Sequence, residues 1–173
     1  MITIENILIA EKDIKTIWSF FNDINSIAGC VPTCVAHEVI DEDTVSCDLR
    51  IKLGMIPLDN KAKVKITERR DDWHLEAKGQ TEAGDMMKKF GKVVTDTVTN
   101  LHIILDLEEL GPNQTRIHFC INADAVGQMR RIYEAVIKGQ REKIENQFVE
   151  NIENALVAKV VMDEMPLSAV AGK

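Results

Sequence analysis

Aromatic side chains are scarce in this 173-residue chain: Trp18, Trp73, Tyr133 and five Phe make up 5% of it. Such a supply argues against base-stacking platforms and leaves the apolar volume to Ile, Val, Leu, Ala and Met. Positive charge is also short, 21 Lys and Arg against 28 Asp and Glu for a net −7. A sequence pI near 5.1 excludes a broad nucleic-acid-binding surface. Long apolar runs are missing too. No stretch approaches the ~18–20 residues of a membrane span, and the longest, Ala155–Met162, is interrupted by Lys159. The opening segment, Met1 to Asn6, lacks a basic stretch followed by an apolar run of about 7–15 residues, so it does not read as a signal peptide. Cys30, Cys34, Cys47 and Cys120 then read as reduced thiols of a cytoplasmic protein. With only four prolines, 45% hydrophobic and 28% charged residues, the chain is folded rather than disordered. A chain of this length buries roughly 70% of its unfolded surface without needing disulfides or a structural metal.

What is present is a clear change of period along the chain. Residues 2–10 are rich in β-branched residues and read as a strand; Asp13 then starts a short helix with Ile14, Ile17, Trp18 and Phe21 on one face. Ile24–Cys30 reads as a second short helix, ended by Val31-Pro32. Beyond it the period becomes 2. Val45, Cys47, Leu49, Ile51 and Leu53 alternate with polar residues, and Ala62, Val64 and Ile66 alternate with Lys61, Lys63 and Lys65, with Gly54–Asn60 as the connection. After an Arg70-Asp71-Asp72 turn, Trp73, Leu75 and Ala77 continue the series, and strands at about 98–109 and 114–125 flank the turn signal Gly111-Pro112-Asn113. Residues 83–97 break this rhythm and read as a partly apolar loop or short helix. From Val126 to about Met162 the period returns to 3.6, with Met129, Ile132, Tyr133, Val136, Ile137, Ile144, Phe148, Ile152 and Leu156 on one stripe.

The order predicts an α+β fold: a curved antiparallel sheet with one long C-terminal helix across its concave side. The expected organisation is one domain over 1–162 and a short flexible tail over 163–173. Either a closed core or a cavity that holds an apolar ligand satisfies this pattern. Charge is uneven, with a net of −6 over residues 1–47 and +4 over residues 48–70. The basic island, Arg50, Lys52, Lys61, Lys63, Lys65, Arg69 and Arg70, reads either as the solvated face of two strands or as a surface for an acidic partner.

Ile17-Trp18-x-Phe20, Asn22-Asp23, Cys30-Val31-Pro32-x-Cys34, Lys52-Leu53-Gly54 and Val126-Gly127 ahead of a helix with Gln147-Phe148 come in an order that resembles the CoxG family of carbon monoxide dehydrogenase subunits. The resemblance covers roughly residues 3–157, and the Cys-Val-Pro-x-Cys element is its most specific part. It implies the START-like, polyketide-cyclase-like helix-grip fold, with about seven strands around the C-terminal helix and an interior apolar cavity. It also implies an accessory role beside a molybdenum hydroxylase of the carbon monoxide dehydrogenase type, in maturation, membrane recruitment or the handling of a quinone-like ligand. The chain departs from the family at Thr33, where Gly is common, at Met55, where Pro is common, and in its Met- and Lys-rich 83–97 stretch. A Pro-rich linker and hydrophobic anchor, found in many relatives, do not follow, so what carries over is a soluble binding module, with the inner membrane surface as a second address.

The expected function is therefore non-enzymatic binding of a quinone- or lipid-like molecule, with no cofactor. A cyclase or hydratase on the same fold and a protein-docking adapter are the alternatives, and the oligomeric state, a homodimer included, stays open. The cavity candidates are Trp18 on the first helix, Leu49, Ile51, Trp73, Leu75 and Phe119 on strands, and Met129, Tyr133 and Val136 on the long helix. Met86, Met87 and Phe90, together with Met129, would form an adaptable mouth. Tyr133, the only tyrosine, needs a partner for its hydroxyl if buried. No catalytic or metal set emerges. Cys30 and Cys34 are separated by Pro32 with only His37 nearby, which is not a zinc spacing. His37, His74, His102 and His118 fall on separate segments, and three sit opposite the apolar sets of their strands, as sheet-surface residues do.

Overall fold

A computed structural model of the chain describes residues 1–84 and 98–163. The β-branched opening forms β1 (Ile2–Ala10). Asp13 then caps α1 (Ile14–Asn22): its carboxylate accepts from the Thr16 backbone N–H at 3.0 Å and from the Thr16 hydroxyl at 2.7 Å. Asp23 caps α2 (Ile24–Cys30) in the same way, accepting from the Asn25 N–H and the Ser26 hydroxyl. The two helices bury Ile17, Trp18, Phe21, Ile24, Ala28 and Cys30.

Six strands follow: β2 (Cys34–Asp41), β3 (Thr44–Leu53), β4 (Ile56–Arg70), β5 (His74–Ala83), β6 (Thr99–Gly111) and β7 (Gln114–Asp124). The long helix α3 (Gly127–Leu156) and a short strand β8 (Val160–Met162) complete the described chain. All eight strands form one antiparallel sheet in the order β2-β3-β4-β5-β6-β7-β1-β8, so β1 returns to lie between β7 and β8. The α+β architecture with a long C-terminal helix packed on a curved sheet is as the periodicity predicted.

Three elements differ from the sequence reading. The β3–β4 connection is two residues, not Gly54–Asn60: Gly54 takes φ 63 at the first loop position, which favours Gly, and β4 starts at Ile56. Pro57 is tolerated there because pairing with β5 begins only at Asn60. Second, β2 shows no alternation to read, since all of its residues but Cys34 are exposed along the sheet edge. Third, α3 ends at Leu156 instead of running to about Met162. Val157 turns left-handed at φ 51, and the chain folds back so that β8 pairs with β1, making eight strands where about seven were expected.

The larger core cluster lies between α1, α2, the second half of α3 and the sheet, around Leu8, Ile17, Ile117 and Ile152. A smaller cluster, Leu58, Ala83, Met129 and Val136, lies under the first half of α3.

Candidate functional site

Between these two clusters the middle of α3 is less deeply buried than its ends. Its stripe is buried at Met129, Val136, Ile152 and Leu156, but Gln140, Arg141, Ile144 and Glu145 in the middle are only half-buried. Polar contacts hold this stretch in place. Gln140 Nε2 donates to the Lys52 carbonyl, Arg141 Nη2 donates to the Glu5 carbonyl at 3.4 Å, and Glu145 Oε1 accepts from Asn6 Nδ2 at 2.9 Å. Apolar residues on the facing strands remain half-buried as a result, among them Leu49, Ile51, Val64, Ile103 and Phe119.

Polar groups stand among them. Thr81 Oγ1 and Tyr133 Oη are 3.1 Å apart, which supplies the partner that the Tyr133 hydroxyl needs. Thr99 is paired in register with Thr81 and fully buried. On the neighbouring strand Asn60 is 4% exposed, and its Oδ1 meets no hydrogen-bond donor. Leaving such an oxygen unpaired costs about 1–3 kcal/mol, a cost that a bound donor group removes.

The sequence candidates divide accordingly. Leu49, Ile51 and Phe119 lie half-buried on the inner face, and Met129, Tyr133 and Val136 lie on α3 above Leu58 and Ala83. Trp18 and Leu75 are packed into the larger core cluster. Phe119 meets Phe148 of α3 edge to face, with ring centroids 5.6 Å apart. Trp73 does not face the interior. It is 46% exposed in the turn between β4 and β5, where the strand alternation does not extend, with the Arg70 guanidinium 5.7 Å from its ring centre. Met86, Met87 and Phe90 lie outside the described residues. Cys30 is buried where α2 meets α3, and its carbonyl accepts from Asn151 Nδ2 at 2.9 Å. Burial pushes the Cys47 thiol up to about 12, with the neighbouring Cys34 adding to the effect.

The outer face of the sheet holds two features that the sequence did not bring together. One is an open groove of about 990 Å³ lined by Lys63, Lys65, Lys78, Asn100, His102 and Asn122 among others. The second is a hydrogen-bonded row of histidines and carboxylates across β1, β7, β6 and β5. His118 Nε2 lies 2.5 Å from Glu5 Oε1, His74 Nδ1 lies 2.6 Å from Asp106 Oδ1, and His102 Nε2 lies 2.8 Å from Glu76 Oε2. Burial opposes charge on His74, but its hydrogen bonds to Asp106 and Glu76 outweigh that, and its pKa is raised. The same bonds, from His102 first and then His74, hold the Glu76 carboxyl below its usual range. Alternation placed three of these histidines on polar faces; only the strand register shows that they meet.

A family model for the carbon monoxide dehydrogenase component CoxG matches residues 9–157. Among solved structures, a conserved protein from Geobacillus kaustophilus is similar over 92% of this chain and 99% of its own, at 17% identity and a TM-score of 0.70. A START superfamily protein from Mycobacterium smegmatis is similar over 89% and 93%, at 13% identity and a TM-score of 0.53. An aromatase/cyclase from a Streptomyces species is similar over 88% and 94%, at 10% identity and a TM-score of 0.55. At these identities the likeness is one of fold. No curated protein gives a significant match. Among the described residues no helix is long and apolar enough to cross a membrane.

Proposed function

The chain belongs to the CoxG family of carbon monoxide dehydrogenase subunits, and from that premise we propose that it is a cytoplasmic, non-enzymatic binding protein for a hydrophobic small molecule, quinone- or lipid-like. The ligand lies between the sheet and the middle of α3, and the protein acts as an accessory to a molybdenum hydroxylase of the carbon monoxide dehydrogenase type.

The observation that carries this reading is the half-burial of Leu49, Ile51 and Phe119 on the face of the sheet beneath α3. An aliphatic surface left partly accessible beneath a helix suits an apolar body, and the oxygen of Asn60 beside the Tyr133–Thr81 pair suits a hydroxyl or other donor on it. Asn60, Thr81 and Thr99 carry no titratable group, which favours holding a ligand over acid–base turnover.

Mass spectrometry of the gently extracted protein, followed by titration with short-chain quinones and fatty acids, tests the reading. A stoichiometric apolar passenger and saturable binding are expected. A chain that carries nothing and binds neither class overturns it, and chemical conversion of the bound molecule would assign the alternative, a cyclase- or hydratase-type enzyme.

A further inference from the structure

The geometry points to a divalent transition-metal site on the outer face of the sheet, formed by His74 and the carboxylates of Glu68 and Glu76, with His102 beside it. One donor atom each from Glu68, His74 and Glu76 lies within 4.8 Å of the other two. This site lies on the opposite face of the sheet from the one under α3, and it does not depend on the ligand reading.

The backbone brings the three together by an irregularity. Ala62, Val64 and Ile66 of β4 point inward, so simple alternation would also send Glu68 inward. The register shifts between Ile66 and Glu68, with Ile66 opposite Ala77 and Glu68 opposite Glu76. This bulge turns Glu68 onto the outer face beside His74, the kind of re-aiming for which bulges recur next to sites. It also sets two carboxylates directly opposite each other across an antiparallel pair, an arrangement that repels unless a cation lies between them. Arg70 Nε meets part of that demand, donating to Glu68 Oε1 at 2.7 Å.

His74 calls for a cation as well. Its Nδ1 lies 2.6 Å from Asp106 Oδ1 and its Nε2 lies 3.1 Å from Glu76 Oε1, so each ring nitrogen faces a carboxylate oxygen. With Nδ1–H donated to Asp106, Nε2 must carry either a proton or a metal ion. An imidazole fixed by a carboxylate on its far nitrogen is the arrangement that orients metal-binding histidines. The His74 side chain is 10% exposed, and its ring stands 5.3 Å from the Trp73 ring, which limits its rotation. On the other oxygen of Glu76, His102 Nε2 lies at 2.8 Å and offers a further nitrogen. A mixed nitrogen and carboxylate set suits Zn²⁺, Co²⁺ or Ni²⁺ rather than Mg²⁺ or Ca²⁺, which take oxygen donors.

Zinc chloride alone, titrated calorimetrically into the chelator-treated full chain, tests the site. One Zn²⁺ per chain is expected. His74→Ala or Glu76→Gln should weaken binding at least tenfold, and Asp106→Asn should weaken it about 10–100-fold by releasing the ring. Glu68→Gln, at the half-exposed rim, serves if His74→Ala fails to fold by circular dichroism. Replacing all four cysteines by Ser should leave binding unchanged, and the Co²⁺ form should lack a thiolate charge-transfer band. Failure of the folded wild-type chain to take up zinc overturns the proposal. So does uptake that survives both Glu68→Gln and Glu76→Gln but vanishes with the cysteines, because the ion is then held by thiols.

Discussion

Val157 sits at φ 51 and ψ 45 where α3 ends, with its N–H bonded to the Glu153 carbonyl and its side chain exposed. A β-branched residue in the left-handed region carries a steric cost of about 1–2 kcal/mol that Gly avoids. Val157→Gly is therefore expected to stabilise the chain by about 1 kcal/mol, read as a rise of roughly 2–4 °C in thermal midpoint. Cys47 shows the reverse relation between residue and surroundings. Burial and the adjacent Cys34 raise its thiol from 9.0 to about 12, so the folded chain keeps a proton that the unfolded chain releases. Unfolding then releases protons, and stability should fall as pH rises through that interval. Cys47 should also stay unlabelled by a thiol reagent at pH 8 until denaturant is added, as peptide mass mapping would show.

Among the elements, α1 and α2 were legible nearly to the residue because their signals are local. Asp13 and Asp23 each reach an N–H two or three positions ahead, and Pro32 stops the second helix. The edge strand β2 was not legible, since neither face is buried and Val35, Val39 and Ile40 remain exposed. β4 reads short from sequence because Pro57, Asp59 and Asn60 resemble a turn, whereas the two-residue loop at Gly54 starts the strand five residues earlier. Across the β4–β5 pair Lys65 stands opposite Lys78, two like charges in register on the outer face. Lys78→Glu is expected to raise stability by about 0.2–1 kcal/mol in urea unfolding, and less in high salt. A loss of stability would mean that a group beyond Lys65 governs that position.

For the whole molecule, the half-buried face under α3 depends on how the long helix meets a curved sheet. The helix packs at both ends through separate clusters and is held in the middle by Gln140, Arg141 and Glu145. Asn60 is where binding and stability part. Asn60→Leu removes an unpaired buried oxygen, so stability should hold or rise by about 1 kcal/mol, while affinity for a quinone or other ligand with a polar head should fall. A variant that loses stability and keeps affinity would place the Asn60 oxygen outside ligand recognition. The sequence by itself determined the strand–helix order, the helix caps, most turns and the aliphatic character of the inner face, because period and capping act within a few residues. It also carried the family pattern. Only the tertiary structure decided the rest: the bulge that joins Glu68 to His74 and Glu76, the reversal at Val157 that adds β8, and the Tyr133–Thr81 bond between residues 52 apart. Each is set by strand register and helix placement, which local sequence signals do not specify.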